Sequence, residues 1–195
     1  MTEATHFING LWFSGKGKQF TSLNPATNTP IWQGKSCSET QVADAINSAR
    51  RALNKWCLMP IENRIHIIEH FTKLLSEKKE MLAVTISQET GKPLWESRTE
   101  ISAMIGKTAI SIKAFFERTG NTSNVIAGAQ SHLRHKPHGV VAVYGPYNFP
   151  AHLPNGHIIP ALIAGNTVVF KPSELTPWVA EEIVKLWQLA GIPKG

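Results

Sequence analysis

The chain has 195 residues, 42% of them hydrophobic and 17% charged, a length and balance that bury a core in one or two domains and argue against disorder. The formal charge of +6 is spread thinly, with no basic run longer than Arg50-Arg51 or Lys78-Lys79, which fits a solvated surface rather than a nucleic-acid groove. No apolar stretch spans a bilayer, the amino end with its early Glu3 lacks a signal-peptide pattern, and Cys37 and Cys57 lack metal or redox spacing, so a reduced cytoplasm and no metal are expected.

Residues 7–33 alternate apolar and polar side chains around Asn9-Gly10, Gly15-Lys16-Gly17 and Asn24-Pro25, a pattern of short antiparallel strands. Ser38 opens a helix, with Gln41 placed for a capping box. Val42, Ala45, Ile46, Ala49, Leu53 and Trp56 give that helix one apolar stripe. Pro60 suits the first turn of a second helical stretch, which reaches about Thr90 with a break near Ser76. Gly91 and Pro93 stop it. A third helix is expected from about Leu94 to Arg118, with Ile101, Ile105, Ile112 and Phe116 on its buried face and Gly120 as its stop.

Asn121-Thr122-Ser123 reads as loop, and a strand is expected over residues 131–135. Val140 to Tyr144 is a continuous apolar run of the kind buried on both faces. A helix over about 153–164 ends at Gly165, and a second buried strand covers Thr167 to Phe170. Thr176 caps a last helix with Pro177 at its first position, and Gly191 and Pro193 end it. Strand, helix, strand, helix implies a parallel crossover and an α/β fold.

Two polar clusters stand at the carboxyl ends of those two strands. One is Gly145-Pro146-Tyr147-Asn148-Phe149-Pro150, and the other is Lys171-Pro172-Ser173-Glu174. The carboxyl rim is where open α/β sheets bind ligands. Asn148, stiffened by a proline on either side, offers a neutral amide donor to an oxyanion in a dry cleft. On spacing alone it reads more readily as a turn asparagine that bonds its own backbone. Glu174 could hold ribose hydroxyls and repel a 2′-phosphate, with Lys171 reaching the same ribose or a phosphate. Lys171 and Glu174 also read as an ordinary surface ion pair.

Three other patterns carry less. No Gly-x-Gly-x-x-Gly occurs, and Gly106-Lys107-Thr108 is no phosphate loop because position 101 is Ile and the segment is mid-helix. His66-Ile67-Ile68-Glu69-His70 fits a zinc-peptidase pattern, but helical spacing puts both histidines opposite Ile68, Phe71, Leu74 and Leu75. His132, His135 and His138 recur every third residue, which in a strand turns His135 away from the other two.

Taken together, the chain resembles the aldehyde dehydrogenase superfamily. The markers, in order over nearly the whole chain, are Glu89-Thr90-Gly91-Lys92-Pro93, Pro137-His138-Gly139-Val140-Val141, the 145–150 run, and residues 160–174 from Pro160-Ala161-Leu162 to Ser173-Glu174. The resemblance implies a Rossmann-like parallel sheet flanked by helices, with short antiparallel strands at the amino end. It also implies a mechanism: a cysteine thiolate attacks an aldehyde, a hydride passes to NAD, and glutamate-activated water hydrolyses the thioester. Asn148 matches the oxyanion asparagine. Gly145, Pro146, Tyr147 and Asn148 match the strip along the nicotinamide half, and Lys171, Pro172, Ser173 and Glu174 the adenosine-ribose side. Phe149, His152, Leu153 and Gly156 match the substrate tunnel. Many relatives carry a bulky aromatic and a lysine where this chain has Gly156 and His157, a departure that suits a long dicarboxylate aldehyde.

The nucleophilic Cys, the general-base Glu and the main cofactor loop of that family are expected beyond Gly195. Residues 1–120 and 139–195 are then the amino-terminal part of an NAD-binding domain, 121–138 an oligomerisation arm of a homo-oligomer, and the catalytic domain is absent. Such a fragment is expected to be inactive alone and to bind NAD weakly or not at all. The competing readings are an aldehyde dehydrogenase specific for a different semialdehyde and a non-catalytic nucleotide-binding or assembly module.

Overall fold

A computed structural model describes residues 4–119 and 121–195. Glu3 and Gly120, invoked above for the amino end and a helix stop, lie outside the described residues.

Strands β1 (His6–Ile8) and β2 (Leu11–Phe13) pair antiparallel, as do β3 (Gln19–Asn24) and β4 (Thr29–Lys35). Asn9 and Gly10 take φ of 53° and 78°, the positive pair that a two-residue hairpin turn demands. Helix α1 (Glu39–Cys57) opens on the expected capping box: the Gln41 N–H donates to Ser38 Oγ at 3.3 Å and the Ser38 N–H to Gln41 Oε1 at 3.1 Å. The Gln41 amide also bonds Ser14 and Lys16 and is itself buried. That anchor turns Gln41, Ser48, Ala49 and Trp56 inward and leaves Val42 and Ile46 exposed, a correction to the expected stripe.

Helices α2 (Ile61–Glu77) and α3 (Lys79–Thr90) are separated by a break at Lys78, and Pro60 precedes α2 rather than lying in its first turn. Gly91, at φ 74°, ends α3 in the left-handed conformation that glycine adopts freely. Helix α4 (Leu94–Arg118) follows. Its buried stripe runs Ser97, Glu100, Ile101, Met104, Thr108 and Ser111. Phe115 rather than Phe116 packs on the core; Phe116 is exposed because it falls one position off that line.

Strands β5 (Thr122–Ile126) and β6 (Ala129–Leu133) form a hairpin with every residue exposed, its turn at Ala127 and Gly128 having φ of 51° and 82°. Thr122 and Ser123 are therefore strand, not loop. The strand expected over 131–135 instead ends at Leu133, where its pairing with Thr122 stops, so His135 lies outside it.

Strands β7 (Val140–Tyr144) and β8 (Thr167–Lys171) are parallel, in register from Val140 opposite Thr167 to Tyr144 opposite Lys171. Helix α5 (His152–Ile163) connects them, and α6 (Pro177–Ala190) follows. Only one face of β7 is covered: Val143 is buried while Ala142 and Tyr144 are exposed, which corrects the expectation of burial on both faces. The core lies between this pair and the helices. Ile68, Phe71 and Leu75 of α2, Leu82 and Ile86 of α3, Ile101 and Met104 of α4, and Ile159 and Ile163 of α5 are all fully buried. Each such side chain contributes about 1.5–3 kcal/mol. The Phe71 and Trp187 rings stack at 3.7 Å, tying α2 to α6.

Among the described residues no helix is long and apolar enough to cross a membrane, and no cluster of His, Cys, Asp and Glu could hold a metal ion. His66 and His70 are exposed, opposite the buried Ile68, Phe71 and Leu75.

Candidate functional site

Parallel pairing puts the carboxyl ends of β7 and β8 side by side. The Gly145 N–H extends the ladder by donating to the Lys171 carbonyl at 2.9 Å. The 145–150 run and the 171–174 run therefore start from neighbouring points on one rim. Gly145 lies tight against its surroundings: an added Cβ would come 3.1 Å from Phe170 Cε2 and 3.4 Å from Pro154 Cγ. Tyr147 and Asn148 are exposed on the rim, and Pro146 is half-buried. The dry cleft expected around the Asn148 amide is not formed by the described residues.

On the second loop, Lys171 Nζ donates to Glu174 Oε2 at 2.9 Å, with both side chains largely exposed. The surface ion pair foreseen as the plain alternative is thus made. That Lys171 bond, helped by Glu174's own backbone, holds the Glu174 carboxyl below the usual carboxylate range. Pro172 and Ser173 are half-buried, and Ser173 Oγ accepts the Leu175 N–H at 3.2 Å.

Each loop runs into a helix whose first N–H groups are held by a buried carboxylate from the α3–α4 region. Glu100 Oε1 accepts from the Ala151 and His152 N–H groups at 3.0 and 3.1 Å. Its other oxygen takes Lys92 Nζ at 2.8 Å, and the same ammonium stands 3.7 Å from the centre of the Phe149 ring. Glu89 accepts from Trp178 and Val179 at 3.0 and 2.8 Å, at the start of α6. It does the work expected of Thr176, whose hydroxyl makes no cap bond and has no partner among the described residues. A carboxylate suits this place because the helix N-terminus carries partial positive charge. Glu89 has no cation partner among the described residues. Burial pushes its carboxyl up to about 7, against the pull of the Val179 and Trp178 N–H groups and the nearby Ser22 hydroxyl, and Glu181 adds to the rise.

Phe149 and His152 are half-buried, Leu153 is exposed, and Gly156 faces Lys107 of α4. The cysteines lie elsewhere. Cys57 backs onto Gly165, at the amino-terminal side of β8 and so opposite the rim. Cys37 Sγ is 3.3 Å from His6 Nδ1, and burial pushes its thiol up, the wrong direction for a nucleophile.

The bracing role of Glu89, Lys92 and Glu100 was not read from the sequence. Glu100 did leave a signal: it falls at helical spacing on the same stripe as Ser97, Ile101, Met104 and Thr108, where a lone charge needs a partner.

Comparison with known proteins agrees with this architecture. Residues 12–195 match the model of the aldehyde dehydrogenase family. The chain is 57% identical over 189 residues to N-succinylglutamate 5-semialdehyde dehydrogenase of Chromobacterium violaceum, covering 97% of this chain and 39% of that protein. It is 55% identical over 195 residues to the protein of the same name from Photorhabdus laumondii, covering 100% and 40%. Among solved structures, the NADP complex of NADP-dependent glyceraldehyde-3-phosphate dehydrogenase from Bacillus halodurans superposes with a TM-score of 0.92 at 27% identity, over 100% of this chain and 42% of that one. The NAD+ complex of aldehyde dehydrogenase from Bacillus cereus gives 0.92 at 30% identity, over 99% and 40%. The chain thus spans about 40% of the length of the curated relatives it matches. Its rim loops, its parallel strand pair and its family match together establish that the chain belongs to the aldehyde dehydrogenase family.

Proposed function

We propose that this chain is the amino-terminal part of an enzyme that oxidises an aldehyde to a carboxylic acid with NAD, and that the aldehyde is N-succinylglutamate 5-semialdehyde. The observation that carries this reading is the adjacency of the two rim loops in a chain 54–57% identical to proteins of that name. Gly145, Pro146, Tyr147 and Asn148 would lie along the nicotinamide half of the cofactor. Lys171, Pro172, Ser173 and Glu174 would hold the adenosine ribose. The residues present fit that group: an ammonium and an ionised carboxylate stand exposed at a strand end, where a diol can displace water from both. Glu174 disfavours a 2′-phosphate, which supports NAD over NADP. When bound, the nicotinamide accepts the hydride that the aldehyde carbon loses.

Asn148 supplies a neutral N–H donor for the aldehyde oxygen as it gains negative charge. Glu100 and Lys92 set the turn that carries Asn148 and Phe149, and Glu89 sets the loop that carries Glu174. On this reading the nucleophilic thiol is neither Cys57, which lies across the sheet, nor Cys37, whose thiol burial pushes up, away from the thiolate. In this division residues 1–120 and 139–195 belong to the NAD-binding domain and 121–138 to an arm that joins copies of the enzyme.

Steady-state assays of the full-length enzyme test the central role. Asn148→Ala is expected to lower kcat by about 100-fold or more, the usual effect of losing one oxyanion donor. Activity within twofold of wild type would remove Asn148 from the chemistry.

A further inference from the structure

Helix α4 turns a stripe toward α5, and Glu100 on that stripe reaches the first turn of α5. Two turns further along α4 comes Lys107. A Cβ built on Gly156 would stand 3.7 Å from Lys107 Cε, so the far end of the Lys107 side chain lies against α5 at the position that has no side chain. Lys107 is half-buried and, among the described residues, makes no ion pair. By contrast, Lys92, Lys113, Lys171 and Lys185 have a carboxylate at 2.8–3.7 Å. An ammonium that has no carboxylate partner among the described residues can take a ligand carboxylate as its counter-charge.

The facing surface of α5 has hydrogen-bonding capacity to spare. His152 precedes Gly156 by one helical turn and so shares its face. Its Nδ1 is buried without a partner among the described residues.

We propose that Lys107 anchors a substrate carboxylate, and that the bare position at Gly156 opens the route by which the ammonium reaches it. The inference rests on the functional reading above, which places His152, Leu153 and Gly156 along the substrate path. The enzyme would then select aldehydes that carry a carboxylate remote from the reacting carbon, over uncharged aldehydes of similar length. Lys107 would act on binding rather than on the chemical step.

The test compares N-succinylglutamate 5-semialdehyde with hexanal in the full-length enzyme. For Lys107→Met the ratio of kcat/KM for the charged over the neutral aldehyde is expected to fall by about 10- to 100-fold, through KM of the charged one. Lys107→Arg, which keeps the charge, is expected to recover most of that ratio. A ratio that holds in Lys107→Met overturns the proposal. So does an equal loss on both aldehydes without recovery in Lys107→Arg, because that pattern marks a packing role. A wild-type enzyme that oxidises neither aldehyde defeats the functional reading itself, and the anchor with it. A wild type active on the semialdehyde, with an unmoved ratio in Lys107→Met, defeats the anchor alone.

Discussion

The loops after β7 and β8 are held by the same device in two electrostatic settings. Both run into a helix, and both helices have their first N–H groups bound to a buried glutamate from the α3–α4 region. Glu100 shares its charge with Lys92, which also covers Phe149. Glu89 has two N–H donors but no cation among the described residues, and burial leaves its carboxyl at about 7. The difference teaches that a helix terminus alone does not offset the dehydration of a carboxylate this deep. One loop is fastened by a charged clamp. The other is fastened by a group close to its point of neutralisation at physiological pH.

The most severe way to break this comparison is Glu100→Ala. It orphans two N–H groups and leaves Lys92 nearly buried without its partner. A loss of about 3–5 kcal/mol is expected in urea unfolding, the range for breaking a buried pair from one side. A loss under 1 kcal/mol would mean that the clamp contributes little.

Glu89→Gln sharpens the contrast through pH. A raised carboxyl pKa means that the folded state holds the proton more tightly than the unfolded one. The stability this contributes is fully present below about pH 4.5, declines as the pH rises, and is gone above about 7. The wild type is therefore expected to lose roughly 3 kcal/mol relative to Glu89→Gln across that window. Parallel pH profiles for the two proteins would show that Glu89 titrates normally.

The mildest test is Arg98→Ala. Arg98 and Glu80 also tie α4 to α3, through a two-pronged ion pair with one bond of 2.6 Å, but both side chains are exposed. A change below about 1 kcal/mol is expected. A larger effect would say that the charge linkage between these helices matters more than its burial.

Much of the fold was legible because its signals are local. The Ser38–Gln41 capping box, the Asn9-Gly10 turn, and the glycine stops at Gly91 and Gly191 each act within a few residues. The misses have non-local causes. Val42 and Ile46 looked buried, yet the orientation of α1 is set by Gln41 bonding Ser14 and Lys16 across a loop. The run Val140–Tyr144 carries the hydrophobicity of a two-sided strand, but the helices cover only one of its faces. For the candidate site, the strand-end position of both clusters could be read from the order of elements. Of the supports behind them, Glu100 showed only as a charge on an otherwise buried helical stripe, and Glu89 not at all, because both meet partners far along the chain and charged residues ordinarily face water.

The short segment around Pro93 carries both glutamates, so the two rim loops rest on a common lever. A substitution in that segment therefore reaches both loops at once, through the N–H groups that begin α5 and α6.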